Sequence, residues 1–392
     1  MSDWLTGLYE TIFDPKFSSD NITKYVKNIG LLIKDNIITE SASVKWKIKG
    51  GNVAFLHDTT FFVKVTGATL TCYSQRDSTE IFNADGNYFP EIQQFRGTKG
   101  KVTWEKAGFA ADQLFAVMDN YTINTSKNNF KADSALLTFT TYFKEPVKGL
   151  LEDQTINVSN KERATYPRFD TYIKEFKLNN IYEGVNYEGG IAIQGASIKG
   201  NGTKILPAIV KISRNDTLYL RIKSVEFIFS KTGLTGAETA TTLYLDKDSI
   251  YHANLGFNFN SETRQVNLYR GNNPVSKSPF FDSFHKVDMY FEYLSWNLKE
   301  SKIILSRARG AALGQAQFES ASYFDQNYYN QLAGIDQYHP LVRLKRFAEY
   351  YYSETFPVEE FAKWINKPVD QVIGLCIDMA NRGFIFYDRN FN

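Results

Sequence analysis

Ala208-Ile-Val-Lys-Ile212, Leu218-Tyr-Leu-Arg-Ile222 and Val225-Glu-Phe-Ile-Phe229 follow one another with little between them. Aliphatic and aromatic side chains recur at every second position, the period of a strand with one buried face. Asn215-Asp216 separates the first two runs, and Asn and Asp tolerate the positive φ that tight turns require. This passage predicts consecutive antiparallel strands.

The same pattern extends in both directions. Upstream lie Val44-Lys-Trp46-Lys-Ile48, Phe61-Phe-Val63-Lys-Val65, Val102-Thr-Trp104, Thr138-Phe-Thr-Thr-Tyr-Phe143, Tyr172-Ile-Lys-Glu-Phe-Lys-Leu178 and Ile191-Ala-Ile193; downstream lie Val266-Asn-Leu-Tyr269 and Met289-Tyr-Phe-Glu-Tyr-Leu294. Turn residues punctuate the intervals, as in Lys49-Gly-Gly51-Asn, Asp85-Gly86-Asn, Gly97-Thr-Lys-Gly100 and Lys199-Gly-Asn-Gly202. A weak phrase recurs at Asp77-Ser78, Asp133-Ser134, Asp216-Thr217 and Asp248-Ser249, each placed to launch an apolar strand from an Asx- or ST-type turn. Its unequal spacing rules out a fixed-length repeat. The predicted fold class is mainly β, an extended stack of short strands built as an open β-solenoid or as a large twisted sandwich.

Helical periodicity brackets this body. Residues 1–40 are expected to form a cap of two helices. Asp3 caps the first, which runs to about Ile12. Asp20 or Asn21 caps the second, whose apolar residues are Ile22, Tyr25, Val26, Ile29, Leu32 and Ile33. Residues 41–305 are expected to form the β-rich body, as one unit or two stacked units, and 306–339 a linker or short helices. Residues 340–392 form a three-helix module. Its helical faces are Leu341, Leu344, Phe347, Ala348 and Tyr351, then Val358, Phe361, Ala362 and Ile365, then Val369, Val372, Ile373, Cys376, Met379 and Ala380. Gly383 suits a left-handed position after the last helix, and Phe384–Tyr387 reads as a closing strand.

Composition bounds what such a chain does. Of 392 residues, 43% are hydrophobic and 22% charged, ordinary for a folded protein. The 31 Phe and 24 Tyr favour pleated, half-buried surfaces. A net charge of +2 creates no field to gather nucleic acid or an anionic membrane. Two cysteines, Cys72 and Cys376, are too few for a disulfide framework and are expected as separately buried thiols. No apolar run reaches the roughly 20 residues that span a bilayer. The N-terminus carries no secretory signal, which read literally places the chain in the cytoplasm. Because the sequence opens inside an amphipathic helix and stops just after a strand, a piece of a longer exported chain, at the cell envelope or surface, is the other expectation.

Motifs for chemistry are missing. His57, His252, His285 and His339 are scattered without metal-ligand spacing, and no nucleophile elbow or phosphate loop is present. Cys72 sits in an alternating strand and reads as a small core residue. Glu183 and Glu188 amid Gly184, Gly189 and Gly190 would serve sugar hydrolysis only across a cleft. Leu245-Asp-Lys-Asp-Ser249 lacks the Gly and the closing Glu of a calcium loop. No catalytic, cofactor-binding or metal-binding residue and no cofactor is therefore assigned. The tyrosine-rich stretch at Tyr323, Phe324, Tyr328, Tyr329, Tyr338 and Tyr350–Tyr352 is expected to bury its rings in a seam between body and module.

In the string from Phe361 to Ile385, Ala362, Ile365, Val372, Cys376, Met379, Gly383 and Ile385 occupy the framework places of a winged helix-turn-helix, which residues 340–388 resemble. The resemblance implies a fold. The family's DNA readers carry polar or basic residues at the start of the second helix, but here that stretch is Pro368-Val-Asp370-Gln371-Val-Ile373-Gly374. Asp370 repels phosphate, and Glu349, Glu359 and Glu360 offset Arg343, Lys345 and Arg346. The body is loosely similar to stacked-strand proteins of bacterial envelopes, including lipopolysaccharide-transport bridges. The expected function is that of a non-enzymatic structural or scaffolding protein within a larger β-rich assembly, its C-terminal module docking a protein partner or flanking segments of a longer chain. A carbohydrate-binding or carbohydrate-active β protein, and a DNA-binding regulator, are the alternatives.

Overall fold

The computed structural model describes residues 2–58, 60–271, 273–306, 316–333 and 338–388. The protein is mainly β, with 48% strand and 21% helix in a large antiparallel sheet and six α-helices. It divides into two compact units, Met1–Ile173 with Ile191–Lys199, and Lys174–Gly190 with Gly200–Asn392.

The first unit opens with helices α1 (Ser2–Phe13) and α2 (Ser19–Asp35). The cap of α2 is Ser18, in place of the expected Asp20 or Asn21. Ser18 Oγ accepts the Asn21 N–H while Asn21 Oδ1 accepts the Ser18 N–H, a reciprocal box that satisfies two orphan donors. Tyr25, Ile29 and Leu32 are buried, whereas Val26 and Ile33, on the predicted apolar face, are exposed.

Strand Phe61–Ser74 then pairs with Asp77–Phe89 across a two-residue turn in which Gln75 and Arg76 both have positive φ. That conformation matches the right-handed twist of the strands it joins. Gly67 (φ 64°) and Asn83 (φ 51°) stand at shifts of register, and the Gly67 N–H is taken by Asp85 Oδ1 at 2.7 Å. Such bulges bend long strands. Antiparallel pairing continues through Gln94–Thr103, Asn129–Phe139, Val147–Gln154 and Arg168–Thr171. Trp46, Trp104, Tyr88, Phe95, Phe139 and Phe169 fill the core, and Trp104 Nε1 donates to the Pro167 carbonyl at 3.0 Å.

The second unit is built on a comparable hairpin. Strands Gly233–Leu245 and Asp248–Asn260 turn through Asp246 (φ 56°) and Lys247. Asp77-Ser78 and Asp248-Ser249 therefore open the returning strands of the long hairpins of the two units. Asp216-Thr217 likewise follows the left-handed Asn215-Asp216 turn between Ala208–Arg214 and Thr217–Ser224. Asp133-Ser134 differs, because it lies inside strand Asn129–Phe139 at a break in register.

Several strand boundaries depart from the sequence pattern. The run Thr138–Phe143 stops at Phe139 and turns, with the Phe143 N–H bonding the Phe139 carbonyl. Residues 172–175 lie outside the strand Phe176–Tyr182. The run Met289–Leu294 is two strands, Val287–Tyr290 and Tyr293–Asn297, with different partners. In the 306–339 stretch the described elements are strand Gln317–Ser320 and helix α3 (Gln326–Ala333). Most of the weak Ala/Gly-rich helical signal at 306–318 lies outside the described residues.

Gly97 shows how closely the sheet is packed. A Cβ there would lie 2.2 Å from the Tyr121 ring, and one at Gly100 would lie 2.7 Å from the Tyr121 hydroxyl. Gly97→Ala is expected to cost about 1–3 kcal/mol by overpacking, measured by urea unfolding. The Gly97→Ala/Tyr121→Ala pair should lose less than the sum of the two single losses, because the clash is gone.

Candidate functional site

Three helices end the second unit: α4 (Pro340–Tyr351), α5 (Val358–Ile365) and α6 (Val369–Asn381). Their shared core contains Phe347, Phe361, Val372, Cys376, Met379 and Ala380, all close to fully buried. Phe347 is the hub. Its ring centroid lies 4.7–5.6 Å from those of Tyr351, Phe356, Phe361 and Trp364.

His339, one of the scattered histidines, caps α4. Its Nδ1 accepts the Leu341 N–H at 3.2 Å, Nε2 donates to the Tyr329 carbonyl at 2.7 Å, and its ring stacks on Tyr329 at 3.6 Å. The immediate neighbour of Pro340 at N1 is where a cap is expected, and that adjacency is the signal by which sequence reading could have found it.

At the other end of α6, Gly383 is left-handed (φ 76°), and the Gly383 and Phe384 N–H groups bond back to Ala380 and Met379. The expected closing strand at Phe384–Tyr387 is not formed. The chain instead folds Tyr387 into the helical core and packs Phe386 against Tyr251 and Phe281. Side-chain burial outweighs the gain from an isolated edge pairing.

Apart from the half-buried Tyr329, the tyrosine-rich stretch is exposed, contrary to the expectation of a buried seam. Fractional exposures are 67% for Tyr323, 54% for Tyr338, 69% for Tyr350 and 97% for Tyr352. Arg343 and Arg346 lie over the Tyr338 ring at 5.7 and 6.0 Å, and Arg382 over Tyr328 at 5.4 Å. Such contacts hold guanidinium groups in place at modest energy. On the α4 face away from Arg343 and Arg346, a cavity of about 580 Å³ is walled by Leu344, Ala348, Phe356, Ile385 and Phe386, with Lys345 and Glu354 at hand. The start of α6 is also open: Val369 and Gln371 are exposed, and a Cβ at Gly374 would meet nothing within 4 Å.

Compared with protein families, with curated proteins and with solved structures, the chain matches none.

The other singled-out residues serve local structure. His57 pairs with Glu10 at 2.6 Å and His285 with Asp282 at 2.7 Å. His252 is buried and bonded through both nitrogens, to the Asn254 N–H and the Ser278 carbonyl; burial, reinforced by Arg270, holds its pKa down to about 3. Cys72 and Cys376 are free and buried, and burial pushes both thiols up to about 11. Glu188 pairs with Lys211 at 2.7 Å, while Glu183 stands exposed near Arg264. Asp248 Oδ1 accepts from Ser283 Oγ. Among the described residues no three His, Cys, Asp or Glu side chains are grouped to hold a metal.

One buried acid has no counterpart in the sequence reading. Asp153, in the first unit, is 3% exposed, and its Oδ1 accepts the Gln154 N–H. Its Oδ2 has no partner among the described residues, and burial raises its pKa to about 7. Alternation alone marks it only as an inward position.

Two outcomes follow from these packings. Phe347→Ala should destabilise the second unit by about 3–5 kcal/mol in thermal or urea melts. Because the folded-state pKa of Asp153 lies above its unfolded value of 3.8, its contribution to stability is intact below pH 4 and is lost as the pH rises through about 7. Asp153→Asn should therefore raise stability at pH 8 by roughly 2–4 kcal/mol and change it little at pH 4, read from urea midpoints at the two pH values.

Proposed function

We propose that the protein is a non-enzymatic structural or scaffolding component, a segment of a larger β-rich assembly at the cell envelope or surface, and that its C-terminal helices dock a protein partner. The observation that carries this reading is the exposed Tyr–Arg surface of α4, where Arg343 and Arg346 lie over the Tyr338 ring. Tyr and Arg are enriched at protein interfaces because each presents a large, stiff contact area with a polar end. Tyr338 with its two arginines, and Tyr350 to Tyr352 beside them in sequence, have that character.

Residues 340–388 are read here as a winged-helix-like module adapted to protein docking. The start of α6 supports this, since Asp370 stands where a DNA reader would present cations and Gly374 leaves an open apolar patch. The body is read as a stacked-strand scaffold that presents the module.

Two measurements separate the readings. A photo-crosslinking residue at position 352, in cells of the source, should give one dominant protein adduct. Tyr350→Ser/Arg346→Ser should abolish that adduct while shifting the melting temperature by no more than about 2 °C. A diffuse ladder of adducts that survives the double change would sink the docking reading. Duplex DNA bound with micromolar affinity at low salt would favour the regulator reading instead.

A further inference from the structure

A second cavity, in the first unit, has a chemistry of its own. It measures about 360 Å³, within the roughly 300–1,000 Å³ range of small-molecule sites. Its walls are Phe13, Phe17 and Phe61, and its acids are Glu10, Asp14 and Glu91. No Lys, Arg or His lines it among the described residues.

Helix α1 builds one wall by close approach. A Cβ on Gly7 would stand 2.3 Å from Phe61 Cβ and 2.8 Å from the Tyr25 hydroxyl, so only glycine lets the helix sit that low. Thr11 Oγ1 donates back to the Gly7 carbonyl, and Tyr25 donates to the Trp4 carbonyl, which holds α1 in place. Phe13 and Tyr9 form a ring pair at 4.6 Å with their outer faces open, 67% and 65% exposed.

Glu91 is the decisive residue. It is 7% exposed, and its Oε2 has no hydrogen-bond partner among the described residues. Asn21 and Asn28 pin the backbone here through the Glu91 and Pro90 carbonyls, each at 3.0 Å, and the Glu91 side chain, which accepts its own backbone N–H, lines the cavity. Around it stand the Tyr25 phenol, Glu10 with its His57 partner, and the more distant Arg96, which draws Glu91 weakly toward its charged form. Burial pushes the Glu91 pKa up. A buried carboxylate with one oxygen unpartnered costs free energy that a charged N–H donor offsets, and aromatic faces attract the same cation.

We propose that this cavity binds a compact organic cation, an ammonium or guanidinium on a short alkyl stem, supplied as a free amine or as a basic side chain of a peptide. The aromatic walls take the stem, Glu91 takes the charged end, and the rim acids Glu10 and Asp14 raise the local cation concentration. The docking surface of the C-terminal helices plays no part in this site.

Calorimetric titration of the full chain tests it with n-butylammonium, N-acetyl-lysine methylamide and the uncharged N-acetyl-norleucine methylamide. Both cations are expected to bind with a Kd of about 1 mM or lower, and the norleucine amide at least about tenfold more weakly. Glu91→Gln should weaken cation binding about tenfold or more without lowering the melting temperature, since it removes a buried unpaired charge. Should Glu91→Gln fail to fold, Phe13→Ala provides the second variant, because its exposed ring is dispensable for folding but forms the cavity wall. Tighter binding of the lysine amide assigns the cation to a peptide, and tighter binding of butylammonium to a free amine. Equal affinity for the norleucine amide, undiminished binding by folded Glu91→Gln or Phe13→Ala, or no heat with the wild type at about 10 mM would overturn the proposal.

Discussion

Each unit depends on the backbone ladder of one long hairpin, whose strands stay in register only if the two residues between them turn tightly. In the first unit Gln75 and Arg76 both adopt a left-handed backbone. In the second, Asp246 does so beside Lys247. These turns set which side chains point inward along 13 or 14 residues on each side, since a slip by one would invert every one of them. Bulges at Gly67 and Asn83 then bend the strands, allowing short neighbours such as Asn52–His57 and Lys45–Lys49 to pair with different halves of the same strand.

Aromatic side chains divide into two populations on this frame. Trp46, Trp104, Tyr88 and Phe95 in the first unit, and Phe227, Phe257 and Phe259 in the second, are buried on inward positions. Tyr323, Tyr338, Tyr350 and Tyr352 are held at the surface, Tyr338 beneath two arginines. The first population stabilises the sheet by removing apolar area from water. The second gains nothing comparable from folding, and exposed rings of this kind are suited to recognition.

Two of the buried carboxylates follow a related division. Asp153 and Glu91 each keep one oxygen without a protein partner among the described residues, at a cost that folding alone does not return. Asp153 lines a small cavity of about 150 Å³ rimmed by Glu80, Glu105 and Lys106, and Lys106 is already engaged by Asp77 at 2.8 Å. Glu91 lines a larger, aromatic one with no basic residue on its wall among the described residues. The difference in neighbours, not in burial, separates a structural acid from a binding one.

Much of the secondary structure was legible from residue order, because strand and helix periodicities are local properties. The alternation at Ala208–Ile212 and Leu218–Ile222, the turn at Asn215-Asp216, the left-handed Gly383 and the three C-terminal helical faces emerge as read, apart from Tyr351 and Val369, which are exposed. Local pattern failed where a longer-range contact decided the outcome. Phe384–Tyr387 gave up a strand to bury Tyr387, whereas the Ser18 cap of α2 rests on a local reciprocal box with Asn21. Exposure of the tyrosines, convergence of Glu91 with Phe13 and Phe17, and the orphaned oxygen of Asp153 were decided only by tertiary structure. Periodicity reports which residues share a face of one element. It carries no information on what another element, tens of residues away in sequence, brings to that face.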